Sequence, residues 1–258
     1  MERIKEFFIP LLERNPSGSD WLPPLLQATP AGTIHLGELA DDPSWLHANL
    51  TMPALEGRRT CFQYPVAPPP ELVLWFIDHP EALRWPPGAE HSPEARLLRR
   101  ALLYDEPPGA RRKAQERARE LMRVRSAFAH EWWRFEELHA PDLVLMTDPL
   151  VLTFVAASDE LPAVSAWYPQ RSVLHRALEA AERLAQPGDE NRPERAWGTI
   201  VLSDVPLPEA SAAGLRHSLP AGAPHRDEAG RAELAAGYLG ALTWAQAAAA
   251  VAPAMAQR

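Results

Sequence analysis

The sequence predicts an α/β fold, with a mixed central sheet flanked by helices, in a chain of 258 residues. Three observations carry that expectation. Two short apolar runs, residues 142–146 and 150–155, flank the turn-prone Thr147-Asp148-Pro149 and read as a β-hairpin. Residues 171–185 then set Val173, Leu174, Leu178, Ala181 and Leu184 on one face of a helix. A third apolar run, residues 197–202, follows, so the helix reads as a crossover between parallel strands.

The other elements follow from local signals in chain order. Residues 2–12 read as a short amphipathic helix, closed by the turn cluster Asn15-Pro16-Ser17-Gly18-Ser19-Asp20. Residues 33–36 and 60–64 read as short strands. Pro68-Pro69-Pro70 is extended, because proline disfavours helix in the residue before it, and the last proline opens a buried helix over residues 71–77. Pro86-Pro87-Gly88 ends that unit. A helix begins at Pro93 with Leu97, Leu98, Leu102 and Leu103 at helical spacing, and Pro107-Pro108-Gly109 breaks it. A second helix runs over about 110–125, and a third, over 129–138, carries Trp132, Trp133 and Phe135. Pro187-Gly188 stops the crossover helix. Residues 206–227 read as a loop rich in Pro, Gly, Ala and Ser, and residues 228–250 as one Ala-rich C-terminal helix. The organisation is thus an irregular, Pro-rich N-terminal region, 1–92, packed on an α/β core, 93–258.

Composition narrows the function classes. Cys61 is the only cysteine, so no disulfide scaffold exists within the chain; a buried, inert thiol in a reducing cytoplasm is the expected reading. No apolar run approaches the ~18–20 residues that span a bilayer, and the first apolar stretch is too short for a secretory leader. The net charge of −8 argues against a bulk polyanion binder. One stretch departs from that balance: from residue 96 to residue 137, eleven basic residues face seven acidic ones. There are no phosphate-binding glycine loops, no His-Glu-x-x-His, no Gly-x-Ser-x-Gly and no paired histidines with zinc spacing. His175 is expected to be a partly exposed helix residue.

One constellation remains: Trp132-Trp133-Arg134-Phe135-Glu136, then Pro141-Asp142 and the hairpin, then Trp167-Tyr168-Pro169-Gln170-Arg171 opening the crossover helix. Over residues 125–205 this resembles the PD-(D/E)XK nuclease-like superfamily, and more narrowly an uncharacterised bacterial branch of it with a Trp-Tyr-Pro-x-Arg segment. The resemblance implies a restriction-endonuclease-like core. In that family the Asp opens one hairpin strand, Glu-x-Lys ends the next, and a Gln or Arg stands near the start of the following helix. Two carboxylates hold Mg²⁺ through hard oxygen ligands, the metal activates water, and the lysine offsets charge. Here Val155-Ala156-Ala157 stands in place of Glu-x-Lys, and Lys113 is the last lysine in the chain.

Three functions are therefore weighed. The first is a degenerate, catalytically inactive member that binds nucleic acid or a protein partner. The second is an active Mg²⁺-dependent nuclease using Asp142, Glu136 and a migrated Asp159 or Glu160, with Gln170 and Arg171 assisting. The third is an interaction protein unrelated to nucleases. Arg111, Arg112, Lys113, Trp167 and Arg171 are the candidate nucleic-acid contacts, against their ordinary readings as a solvated helix face and aromatic core. Asp142 is equally a turn cap, and Glu136 a solvated residue. A homodimer is compatible with all three.

Overall fold

The structure is a computed structural model that describes residues 2–16, 18–31, 62, 64–87, 92–124, 132–136, 138, 140–146, 150–186 and 195–256. The expected strands at 33–36 and 60–64, Cys61, the Thr147-Asp148-Pro149 turn and the Pro187-Gly188 stop lie wholly or largely outside these residues.

The helices before the sheet are α1 (Glu2–Arg14), α2 (Leu22–Ala28), α3 (Pro70–Asp78), α4 (Pro93–Tyr104) and α5 (Ala110–Val124). The α/β part runs β1 (Leu143–Met146), β2 (Leu150–Ala157), α6 (Val173–Ala185) and β3 (Ala196–Ser203). It continues through α7 (Ala212–Gly222), α8 (Glu228–Ala236), β4 (Tyr238–Thr243) and α9 (Trp244–Ala256). The sheet order is β1-β2-β3-β4. The hairpin pair β1/β2 is antiparallel, with Leu143 opposite Phe154. β2 and β3 are parallel across the α6 crossover, and β3 and β4 are parallel as well. The mixed α/β class and the crossover are as the apolar pattern predicts.

Alternation along the strands divides the core in two. Phe154, Ile200, Leu202 and Leu242 face α1, α2 and α9, where they pack with Phe8, Trp21, Leu25 and Trp244. The Phe8 and Phe154 rings meet at 4.8 Å and 61°, an edge-to-face pair. Val155, Ala157 and Val201 face the other way, onto Leu174 and Leu178 of α6 and Leu215 and Leu219 of α7. Each of the buried Val, Leu, Ile and Phe side chains among these contributes about 1.5–3 kcal/mol. The N-terminal helices therefore form one outer layer of the sheet. A separate apolar cluster joins α3, α4 and α5 to Trp132, Trp133, Phe135, Trp167 and Tyr168.

Three local expectations need correction. Residues 132–136 are turn and bend rather than helix. The apolar spacing is helical, but the buried Arg99 of α4 donates to the carbonyls of Trp132 at 2.6 Å and Arg134 at 3.2 Å, and Ser165 donates to the carbonyl of Phe135. Those carbonyls serve tertiary donors, so a helical ladder does not form. The 206–227 loop contains α7, capped by Ser211, whose hydroxyl accepts the Gly214 N–H at 3.0 Å. The single C-terminal helix is instead α8, β4 and α9. Gly240, at φ +120, gives β4 a backbone that side chains rarely adopt, and a Cβ there would meet Pro30 at 2.5 Å.

Candidate functional site

Asp142 immediately precedes β1 and is half-buried. Its Oδ2 accepts the Ala156 N–H of β2 at 2.8 Å. The register that pairs Leu143 with Phe154 carries Asp142 to the position opposite Val155. Val155 and Ala157 are buried against Val173, Leu174, Leu207 and Leu215. Asp159 and Glu160 are exposed in the turn beyond β2, and Gln170 is exposed before α6. This donor set does not fit Mg²⁺: one Asp142 oxygen is committed to an amide, and the neighbouring side chains offer methyls where hard oxygen is needed. No group of three or more His, Cys, Asp or Glu among the described residues is placed to hold a metal.

Glu136 lies in a different cluster. Four charged side chains, Arg171, Arg176, Glu136 and Glu179, are 0–2% exposed. Arg171 Nε donates to Glu136 Oε2 at 2.7 Å, its Nη1 to the Gly222 carbonyl at 2.7 Å, and its Nη2 to Glu179. Arg176 Nε stands 2.9 Å from Glu136 Oε1, off the line of a hydrogen bond, and its Nη2 donates to the Val66 carbonyl. His225 Nε2 lies 3.2 Å from Glu179 Oε1 and Arg226 Nε 3.7 Å from the same atom.

Burial opposes the charges of Arg171, Glu179 and Arg176, and their partners offset it to different degrees. Burial works to lower the Arg171 pKa, yet Glu136 and Glu179 beside it raise it. Burial works to raise the Glu179 pKa, yet Arg171 and His225 hold it down at about 2. For Arg176 burial wins, bringing it to about 10 despite Glu136. The cluster ties residue 136, the approach to α6, the α6 helix itself, Val66 and the end of α7 together. It joins the helical aromatic cluster to the sheet layer, and its charges are committed to one another. Only its edge reaches solvent, where Glu179, Glu182, His225 and Arg226 help line a cleft of about 450 Å³.

His175 is buried, not partly exposed. Its Nδ1 accepts the Ser172 N–H at 3.1 Å and its Nε2 meets Ser218 Oγ at 3.0 Å. A Cβ on Gly222 would lie 2.3 Å from the imidazole. Gly222→Ala is therefore expected to cost roughly 1–3 kcal/mol through overpacking. A urea melt checks this, and an unchanged midpoint contradicts it.

The candidate nucleic-acid residues separate by environment. Arg111 donates to the Leu102 and Leu103 carbonyls, both at 2.9 Å, and so caps the end of α4. Trp167 is buried, with Arg99 4.8 Å over its ring and Phe135 5.3 Å away edge-on, which leaves no open face for a base. Arg171 is enclosed. Arg112 and Lys113 are exposed, with Glu116 at 3.7 Å from Arg112 in a loose surface pair. Sequence reasoning missed Arg176, Glu179 and His225, because nothing local marks a charged residue as buried.

Comparison with protein-family models, curated proteins and solved structures finds nothing that matches this chain.

Proposed function

We propose that this chain is a PD-(D/E)XK-like protein that has lost its catalytic pair and acts by binding nucleic acid. The observation that carries the reading is the placement of Asp142 opposite Val155, beside the Ala156 N–H that it holds. A metal nuclease of that kind needs a second carboxylate and a cation at this point; here the space is apolar core. The antiparallel hairpin leading through a crossover helix to a parallel strand supports the same kinship. Glu136, which an active variant of the reading needs near Asp142, is engaged by Arg171 and Arg176.

Binding has a surface to act through. α5 carries the exposed Arg112, Lys113, Arg117 and Arg123 and the half-buried Arg119 against Glu116 and Glu120. Arg117 pairs with Glu120 at 2.7 Å and Arg119 with Asp78, both at the surface, where such pairs contribute little and yield readily to phosphate.

Oligonucleotides incubated with the protein and Mg²⁺ or Mn²⁺ are expected to stay intact while binding with an affinity that falls as salt rises. The double variant Arg112→Gln, Lys113→Gln is expected to flatten the log–log salt dependence by roughly 1–2. Cleavage abolished by Asp142→Ala overturns the loss of catalysis. Absence of binding at low salt overturns the nucleic-acid role.

A further inference from the structure

Along α4, between that helix and the segment carrying Trp85, lies a pocket of about 500 Å³ lined by Trp85, Arg96, Arg100, Tyr104 and Glu106. Its size lies within the range of small-ligand sites. Arg96, Arg100 and Tyr104 follow one another at four-residue spacing, so they form one stripe along α4. Trp85 faces that stripe from the segment after α3. The Trp85 and Tyr104 rings are nearly parallel, at 23°, with centroids 6.3 Å apart.

Trp85 is held in place from behind. It packs edge-on against the buried Trp167 at 5.3 Å, and the neighbouring Arg84 N–H donates to the Trp167 carbonyl at 3.0 Å. Tyr104 is half-exposed, and Arg96 and Arg100 are exposed. Arg100 Nε donates to Glu106 Oε2 at 2.9 Å, so Glu106 occupies Arg100, while Arg96 forms no ion pair among the described residues.

We infer that this pocket receives one unstacked base of a single-stranded nucleic acid, with the adjoining phosphate taken by Arg96 and then by Arg100. The inference rests on the nucleic-acid reading above and names the form of the ligand. Aromatic rings supply a stacking surface that accepts any base, and guanidinium groups suit phosphate oxygens. A duplex keeps its bases inside and cannot offer a ring to this pocket. A strand rather than a free nucleotide is indicated by what adjoins the pocket. Arg111 ties the start of α5 to the last turn of α4, which places the exposed Arg112 and Lys113 just past Tyr104. Positive charge thus continues beyond the space that one nucleotide fills. Glu106 acts as a competitor for Arg100, so its charge opposes binding.

The test is fluorescence anisotropy with a labelled single-stranded 12-mer and its duplex at one salt concentration. The single strand is expected to bind more tightly. Tyr104→Ala is expected to weaken the single strand by about five- to a hundredfold and leave the duplex unchanged, while Tyr104→Trp restores binding. Glu106→Gln is expected to tighten it. Tyr104 is half-exposed, so these variants keep the fold, which circular dichroism verifies. Single-strand binding indifferent to Tyr104→Ala overturns the pocket assignment and leaves the general reading standing. Inorganic polyphosphate binding as tightly as the oligonucleotide overturns base stacking. A mononucleotide binding as tightly as the 12-mer overturns the strand. Binding of neither strand nor duplex overturns the nucleic-acid reading itself.

Discussion

Arg171→Met is expected to lower the free energy of unfolding by roughly 3–5 kcal/mol, a large part of the stability of a domain this size. Arg171 is fully enclosed and serves three elements at once: Glu136 at 2.7 Å, the Gly222 carbonyl at 2.7 Å, and Glu179. Methionine fills similar volume but leaves two carboxylates buried with less cation between them. The cost is that of an uncompensated charge, which exceeds what the intact pair contributes over an apolar substitute. Arg171→Lys is expected to fall between the two, because an ammonium lacks the planar fork that meets both carboxylates. The double variant Arg171→Met, Glu179→Gln is expected to lose less than the sum of its parts, since the second change removes a charge that the first had stranded. Urea denaturation of the wild type, the two Arg171 variants, Glu179→Gln and the double variant measures all of this. A loss below about 1 kcal/mol for Arg171→Met contradicts the account.

Acidification is expected to destabilise the protein in two steps, the first set by His175. Burial, reinforced by the Arg171 charge and partly offset by Glu179, lowers the His175 pKa from 6.5 to about 4. The unfolded chain thus takes up a proton below pH 6.5 that the folded chain refuses until about pH 4. Stability is fully present above pH 6.5 and falls through this window, by on the order of 3 kcal/mol. Glu179 sets the second step. Its folded pKa of about 2 lies below the ordinary 4.5, so its contribution is present above pH 4.5 and fades as pH falls towards 2. His175→Gln keeps an acceptor for the Ser172 N–H and carries no titrating ring. It is expected to flatten the pH dependence between 6.5 and 4 and to leave the lower step in place. Chemical denaturation across pH 7 to 3 separates the two, and an identical profile in the variant removes His175 from the account.

The candidate site was partly legible. Arg171 and Glu136 stand out in the sequence beside the Trp-Tyr-Pro and Trp-Trp segments, and the structure brings them together as a buried ion pair. Asp142 stands out as the residue opening the hairpin, and it does cap the hairpin end. Its companions Asp159 and Glu160 point to the metal reading only through their charge, and they lie exposed beyond β2. Arg111 and Trp167 looked like ligand contacts because their residue types suit nucleic acid. In the structure Arg111 donates to carbonyls of α4 and Trp167 packs in an aromatic cluster, contacts that are tertiary.

The amino-acid order by itself determined the hairpin, the crossover helix, β3 and the helices that open at Pro70 and Pro93. In each, apolar periodicity and the punctuation by proline and serine agree, and both act over a few residues; Ser92, for instance, accepts the Ala95 N–H at 3.2 Å. Tertiary structure alone decided that residues 132–136 leave the helix, that Tyr238–Thr243 joins the sheet, and that Arg171, Arg176, Glu136 and Glu179 are interior. The physical reason is one of range. A strand edge next to β3, an arginine that reaches Glu136 and the Gly222 carbonyl, and the loss of water around a charge all arise from residues tens of positions apart. Their energies exist only once the chain has closed around them.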